Sequence, residues 1–334
     1  MARIALDVMG GDKAPEEIIE GATLSSDLNS QLVLIGTEDA ISHIKGFEKI
    51  LTSDFLPMDV KPTEVLKRKK SSMYVGLQLL SEKKVDAFVS AGNTGALLAG
   101  ATLIVGRMKG VDRPALAVPV PSLSGFTILL DAGANVRVRA EQLVNFALMG
   151  SAYAEVLGRK NALIGLLNVG EEETKGDEVT KEAYGEIKKL FKDRFLGNVE
   201  GHDINTGRVD VVVSDGFCGN VAMKTMEGTA KMILDTLKSE LKKSGIFQKI
   251  GALLMKRVFS KLKKLLDPRS YGGAFILGVN GIVVKAHGSS DRYAIKNALQ
   301  VAEKGVRMKL VDMMLGELEH VRNSGNAGGP PEGS

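Results

Sequence analysis

Short apolar runs alternate with longer segments in which apolar residues recur every three or four positions, along nearly all of the 334-residue chain. The short runs are Arg3–Leu6, Leu32–Ile35, Ala87–Ser90, Ala115–Val118, Thr127–Leu130, Ala162–Leu167, Val209–Val213, Ala274–Leu277 and Gly281–Val284. Their length and β-branched content predict buried strands. The longer segments, Pro15–Ser26, Ser72–Glu82, Thr94–Gly106, Ala140–Leu157, Val179–Leu190, Asn220–Lys242 and Asp291–Glu319, predict helices. Pro15 suits a first helical turn, Ser290 or Asp291 can cap the last helix, and Asn93 or Thr94 the one after the Ala87 strand. Alternation of this kind predicts the α/β class, three layers with helices on both faces of a mainly parallel sheet. The pattern describes one domain over residues 1–322, with a helical excursion at about 228–270, and a Gly- and Pro-rich tail at 323–334 expected to be disordered.

Six glycine-rich loops follow strand candidates: Asp7–Asp12, Ser90–Gly95, Asp131–Asn135, Asn168–Gly170, Asp215–Asn220 and His287–Asp291. Glycine lets a backbone approach a ligand, and a helix start presents N–H groups to an anion. Ligands of such sheets bind beyond the carboxyl ends of the strands, so the loops are expected to converge there. Each loop alone is better explained by a tight turn or close packing, which also need glycine. Together they also carry side chains suited to phosphate or carbonyl oxygen: Asn93, Thr94, Asn135, Asn168, Asn220, Ser289 and Ser290. Neither G-x-G-x-x-G after the first strand nor G-x-x-x-x-G-K-[ST] is present, so neither a dinucleotide fold nor a triphosphate P-loop is signalled.

Charge changes this picture locally. Nine of the 44 basic residues lie between Lys242 and Arg269 with one acid, Asp267, so on a net charge of +4 the rest of the chain carries −4. A single cysteine, Cys218, excludes an internal disulfide and a cysteine-based zinc site, and points to a reducing cytoplasm. No apolar run of about 18 residues predicts a spanning helix. The strand-like run Ile4–Asp7 follows so soon after Met1 that no signal peptide is expected.

Cys218 sits at a predicted helix start, where a thiolate is favoured, but no histidine lies near it in sequence, and a small packed residue is the better reading. His43 and His320 fall in polar stretches. His287, between Lys285 and Gly288-Ser289-Ser290, is the best histidine for an acid, base or phosphate donor, with a structural hydrogen bond as the alternative. Lys175 and Arg113 are loop cations suited to phosphate or to local ion pairing, Arg113 with Asp112. No metal-ligand spacing appears.

With these residues in view, the chain resembles the bacterial phosphate acyltransferases of phospholipid synthesis. The resemblance rests on Asp7–Asp12, Ser90–Leu97, Gly110–Ala117, Leu130–Asn135, Gly165–Gly176, Gly197–Glu200, Ser214–Gly228 and Tyr271–Asp291, in family order. It implies attack of inorganic phosphate on the thioester of a long-chain acyl carrier protein, giving acyl phosphate for a downstream membrane glycerol-phosphate acyltransferase. It also implies a homodimer, no cofactor and a fold akin to isopropylmalate dehydrogenase and phosphotransacetylase. The family often carries Thr where this chain has Cys218, and a loop lysine where it has Lys175. Such chemistry needs phosphate held against the thioester and charge stabilised on the carbonyl oxygen. On that basis Lys175 takes the main electrostatic role, and His287 and Asn220 orient the reacting groups. Asn93, Thr94, Ser289 and Ser290 hold phosphate, and Gly10, Gly11, Gly95, Arg113, Asn135, Asn168 and Gly219 complete the phosphate- and substrate-binding set.

In the basic segment Ile246, Ile250, Leu254, Val258, Leu262 and Leu266 follow a four-residue step. Packing against a second subunit, docking of an acidic carrier protein and reversible attachment to anionic lipid all fit. A helical hairpin that pairs with its copy and touches lipid through Phe247, Ile250, Leu254, Lys249 and Lys256 combines the first and third. Nucleic acid is disfavoured, since no binding motif accompanies the charge. The competing activities are a phosphotransacetylase using acyl-CoA, an oxidoreductase of the isopropylmalate dehydrogenase type, and a lipid-surface scaffold.

Overall fold

The computed structural model describes residues 1–266 and 272–326. Among these, eleven strands form one sheet: β1 (Arg3–Asp7), β2 (Gln31–Thr37), β3 (Glu48–Thr52), β4 (Ala87–Ser90), β5 (Ala115–Ser122), β6 (Gly125–Leu130), β7 (Ile164–Leu167), β8 (Phe195–Val199), β9 (Val211–Val213), β10 (Ala274–Leu277) and β11 (Ile282–Lys285). The helices are α1 (Glu16–Thr23), α2 (Glu38–Ile41), α3 (Glu64–Lys67), α4 (Ser72–Ser81), α5 (Thr94–Gly100), α6 (Ala140–Val156), α7 (Glu178–Phe191), α8 (Gly216–Lys243), α9 (Ile246–Leu254), α10 (Lys256–Leu266), α11 (Arg292–Arg307) and α12 (Leu310–Asn326).

Alternation within the strands builds the three layers. In β1, Ile4 and Leu6 face a core shared with Ile18 of α1, Leu143 of α6, Ile295 of α11 and Leu310 of α12. Ala5, between them, faces Met73 and Leu77 of α4 and Leu97 of α5. All are buried, as strands covered on both faces require.

The strand order is β3-β2-β1-β4-β11-β10-β5-β6-β9-β7-β8. The sheet is mostly parallel; only the β11–β10, β10–β5 and β5–β6 pairings are antiparallel. Three reversals make the two halves run in opposite directions, so the six glycine-rich loops do not leave one common edge. The register nevertheless brings both sets of strand ends together. Val89, Val284, Phe275, Ala117, Leu130 and Val213 lie in one hydrogen-bonded row. In one half β1, β4 and β11 end one residue past that row, at Asp7, Ser90 and Lys285; in the other, β6 and β9 end in it.

Several local expectations shift. Pro15 is the N-cap of α1, not its first residue. Asn93 caps α5 and Asp291 caps α11, through Ala96 N–H at 2.8 Å and Ala294 N–H at 3.0 Å. The expected last helix breaks at Lys309, whose φ is 54°, into α11 and α12. α12 runs to Asn326, four residues into the tail expected to be disordered, and the rest of that tail lies outside the described residues. The expected apolar stripe from Ile246 to Leu266 is cut at Met255, between α9 and α10. The side chains of Lys263 and Lys264, and Asp267 and Arg269, lie outside the described residues.

Gly76 illustrates how tightly α4 meets the sheet: a Cβ there would come within 2.0 Å of the Phe88 ring. Ala is favoured over Gly in a helix by about 1 kcal/mol, but overpacking costs about 1–3 kcal/mol. Gly76→Ala is therefore expected to lower the thermal unfolding midpoint, and Gly185→Ala on α7, where a Cβ meets nothing within 4 Å, to leave it unchanged or raise it; differential scanning calorimetry checks both.

Candidate active site

Where the two half-sheets meet, a pocket of about 370 Å³ lies over the β10–β5 seam. Leu116 and Val118 of β5 and Ala274 of β10 line it, with Thr94 of α5, Gly133, Asn220 and Lys224 of α8, Lys285 at the end of β11, and His287, Gly288 and Ser290. Four of the six glycine-rich loops thus reach it. The Asp7–Asp12 loop supports it from outside: Asp12 N–H donates to Gly288 carbonyl at 2.8 Å. A Cβ on Gly10 would lie 2.6 Å from Gly92 N and 2.7 Å from the Asp7 carboxylate, so only glycine lets these loops close. Beneath them the Ser90 hydroxyl donates to the buried Asp7 carboxylate at 2.7 Å and accepts from Gly92 N–H at 3.0 Å. Burial raises the Asp7 pKa against hydrogen bonds from Ser72, Ser90 and Met9 N–H and the charge of Lys285.

Asp131 fixes the opposite wall. Its buried carboxylate accepts from the N–H groups of Leu116, Gly133, Ala134 and Asn135 at 2.7–3.1 Å. Gly219, in the first turn of α8, packs against the same loop; a Cβ there would be 2.0 Å from Asp131 carbonyl oxygen.

Lys285 was missed by sequence reasoning because it reads as the end of an apolar strand. It is only 6% exposed, and its Nζ donates to Ala91 carbonyl at 3.2 Å and to Ala286 carbonyl. Burial pulls its pKa down to about 8, against the opposing pull of Asp12 and Asp7. Ser290 is 1% exposed, lines the same pocket, and its hydroxyl has no hydrogen-bond partner. A buried hydroxyl without a partner is costly unless a ligand completes it. His287 receives the Ser289 N–H on Nδ1 at 3.2 Å, with the Ser289 hydroxyl 2.9 Å from the same atom. A nitrogen accepting from a backbone N–H carries no proton, so the neutral ring is protonated on Nε2. Desolvation lowers the His287 pKa; Lys285 and Lys224 add to this and Glu227 and Asp12 oppose it. Lys224 is itself paired with Glu227 at 2.8 Å.

The other candidates are placed elsewhere. Asn93 caps α5 with Oδ1 and donates through Nδ2 to Met58 carbonyl at 2.7 Å. Asn135 Nδ2 donates to Pro114 carbonyl and Asp131. Asn168 Nδ2 donates to Lys175 carbonyl at 3.2 Å. These three amides are engaged in holding loops. Lys175 is exposed on its loop, and Arg113 is exposed before β5; neither lines the pocket. Asp112 pairs with Arg139 at 2.7 Å and with Arg107. Cys218 is exposed, and burial of its sulfur together with the capping Asp215 pushes its thiol up to about 11, opposite to the usual helix-start effect. Among the described residues no cluster of three or more His, Cys, Asp or Glu side chains is arranged to hold a metal ion.

The pocket thus offers a buried cation, an imidazole N–H, an unsatisfied hydroxyl and a helix start, a set that suits an oxyanion. The family described as "Fatty acid synthesis protein" matches residues 2–313. Phosphate acyltransferases of Pseudothermotoga lettingae and Thermotoga maritima are 70% and 59% identical over 325 residues, 97% of this chain and 99% of each relative. This chain belongs to the phosphate acyltransferase family. It is accordingly an enzyme that transfers acyl groups to phosphate, and the oxidoreductase and scaffold readings are set aside. Solved structures share its fold. A phosphotransacetylase from Streptococcus pyogenes has a TM-score of 0.61 at 15% identity, covering 92% of this chain and 94% of that one. A 4-hydroxythreonine-4-phosphate dehydrogenase from Klebsiella pneumoniae has 0.53 at 13%, covering 90% and 98%.

If Lys285 is the phosphate-binding cation, the KM for phosphate rises as pH increases through about 8, where the ammonium is lost while phosphate stays dianionic. Steady-state kinetics across that range are expected to show the rise for the native enzyme and not for Lys285→Arg, whose side chain stays charged. At neutral pH, Lys285→Met is expected to lower kcat/KM for phosphate about 100-fold, the scale of one lost buried charged contact. Lys175→Ala, outside the pocket, is expected to change it less than about tenfold.

Proposed function

We propose that this enzyme transfers a long-chain fatty acyl group from acyl carrier protein to inorganic phosphate, releasing acyl phosphate. The observation that carries the site assignment is the convergence of Lys285, His287 and the unpartnered Ser290 hydroxyl on one pocket. In this reading Lys285, Ser290 and Thr94 hold phosphate. A phosphate oxygen attacks the thioester carbonyl carbon, His287 Nε2–H and the Asn220 amide donate to the oxyanion, and the carbon–sulfur bond breaks. The thiolate leaves and takes its proton from water. Phosphate is already nucleophilic, so neither a Ser-His-Asp triad nor the protonated Cys218 is needed.

The acidic carrier is proposed to dock on the cations of α8 and α9, including Lys231, Lys238, Lys242 and Lys249, which lie together. Among the described residues no helix is long and apolar enough to cross a membrane. Ile246, Phe247, Ile250, Leu253 and Leu254 are all at least half exposed on α9, which supports reversible attachment to an anionic cytoplasmic surface. Phe217, Val221 and Met232 form an exposed apolar stripe on α8 that suits a second copy of the chain. Acyl-CoA is the rival donor, favoured by the fold shared with phosphotransacetylases.

Phosphate-dependent thiol release from palmitoyl carrier protein, palmitoyl-CoA and acetyl-CoA, followed in parallel, separates the readings. The expected kcat/KM is highest for palmitoyl carrier protein; a preference for either CoA ester replaces that donor assignment. In vesicle sedimentation, Phe247→Glu with Leu254→Glu is expected to weaken binding to anionic vesicles at least tenfold; equal binding removes the lipid assignment.

A further inference from the structure

In the parallel strands β1, β4 and β11, Asp7, Ser90 and Lys285 share one register position, Asp7 opposite Ser90 and Ser90 opposite Lys285. Side chains at one register position of parallel strands leave the same face of the sheet. Carboxyl, hydroxyl and ammonium therefore stand in a row on the face that α4 covers, where Ser72 also bonds Asp7. Asp7 is 1% exposed, Ser90 fully buried and Lys285 6% exposed. The Ser90–Gly92 segment joins the two ends of the row. The Ser90 hydroxyl donates to Asp7, Ala286 N–H donates to Ser90 carbonyl at 2.9 Å, and Lys285 Nζ donates to Ala91 carbonyl at 3.2 Å. With strands about 4.8 Å apart, the backbones of Asp7 and Lys285 lie about 10 Å from each other. Buried charges at such a separation are little screened by salt.

We propose that Asp7 is a positioning residue for phosphate: its carboxylate is the fixed counter-ion that keeps the Lys285 ammonium charged and in place at the pocket. The proposal rests on the reading of Lys285 as the phosphate-binding cation and adds what holds that cation. Lys285 lines the pocket and Asp7 does not, so Asp7 acts through Lys285 and not on the ligand. Burial favours a neutral carboxyl at Asp7, while Ser72, Ser90, Met9 N–H and Lys285 favour the anion. Burial likewise favours a neutral amine at Lys285, while Asp12 and Asp7 favour the ammonium and Lys224 opposes it. Each of the two buried charges is thus a condition for the other. Among the other elements around Lys285, β4, β10 and α5 carry no ionisable side chain, and His287 lies two residues on along its own chain. Asp12 stands first among the charges that support Lys285, but it is exposed, and water and salt weaken an exposed charge. A cation already charged and fixed before phosphate arrives takes up no proton and needs no reorientation on binding.

The test is calorimetric titration of inorganic phosphate from about pH 6.5 to about pH 9.5, into the native enzyme, Asp7→Asn, Asp12→Asn, Lys285→Arg and Asp7→Asn/Lys285→Arg. Native affinity is expected to fall as pH rises through about 8. In Asp7→Asn, which keeps the shape of the side chain, the midpoint of that fall is expected to move down by about one pH unit, which weakens binding about threefold near pH 7.5. Asp12→Asn is expected to move it less. In the Lys285→Arg background Asp7→Asn is expected to produce no pH dependence, because the guanidinium stays charged. A merely structural role would weaken binding alike at every pH and in both backgrounds. An unmoved midpoint in Asp7→Asn, or a larger shift in Asp12→Asn, overturns the proposal while leaving Lys285 as the phosphate cation. A native enzyme that binds no phosphate, or binds it with no fall near pH 8, overturns the Lys285 reading and this proposal with it. If Asp7→Asn does not fold alone, thermal unfolding of Lys285→Met decides. A buried carboxylate stripped of its counter-ion is destabilising, so Asp7→Asn/Lys285→Met is expected to melt above Lys285→Met; an equal or lower midpoint overturns the pairing.

Discussion

The hydrogen-bond register across β11, β10, β5 and β6 is the constraint on which the site depends. An odd number of antiparallel pairings turns one half of the sheet over, and loops after strands of opposite direction ordinarily sit on opposite edges. Here the halves are also offset along the strand axis, so that Lys285 and Leu130 finish within a residue of the same row. A slip of one residue would flip every side chain of the seam to the other face, burying Lys285 in the wrong layer. The Asp131 carboxylate, which collects the amides of its own loop and of Leu116, fastens that register where β5 and β6 meet.

Much of the fold is legible from the sequence because central strands are covered on both faces and read as continuous apolar runs. The two strands that pattern reading missed, β3 and β8, are the two sheet edges. Edge strands carry less apolar surface: Glu48 and Lys49 open β3, and Gly197 and Asn198 interrupt β8. The direction of strands was not legible at all, since side-chain periodicity is the same in parallel and antiparallel pairs. The expectation of one common loop edge failed for that reason.

The lining of the candidate pocket was legible where it lies on glycine-rich loops, as for His287, Ser290, Asn220 and Thr94, and hidden where it lies on regular elements. Lys285 ends a strand of buried valines, and Glu227 and Lys224 sit within a long polar helix. Asparagine is ambiguous for a physical reason: the amide that could hold a phosphate is the same amide that caps a helix or braces a turn. Asn93, Asn135 and Asn168 are committed to such local bonds, whereas Asn220 borders the pocket. Keeping Lys285 out of water and leaving Ser290 without a partner both cost folding stability, and such costs concentrate where a ligand restores them.

Cys218 is an exposed residue, with its sulfur partly desolvated and its proton held by the neighbouring cap of Asp215. Oxidants and alkylating reagents attack the thiolate, and a thiol pushed up to about 11 is almost wholly protonated at neutral pH. The one sulfhydryl of the chain is thereby kept inert in the first turn of the helix that carries Asn220 to the pocket, where a reactive thiol would compete with phosphate for the acyl group.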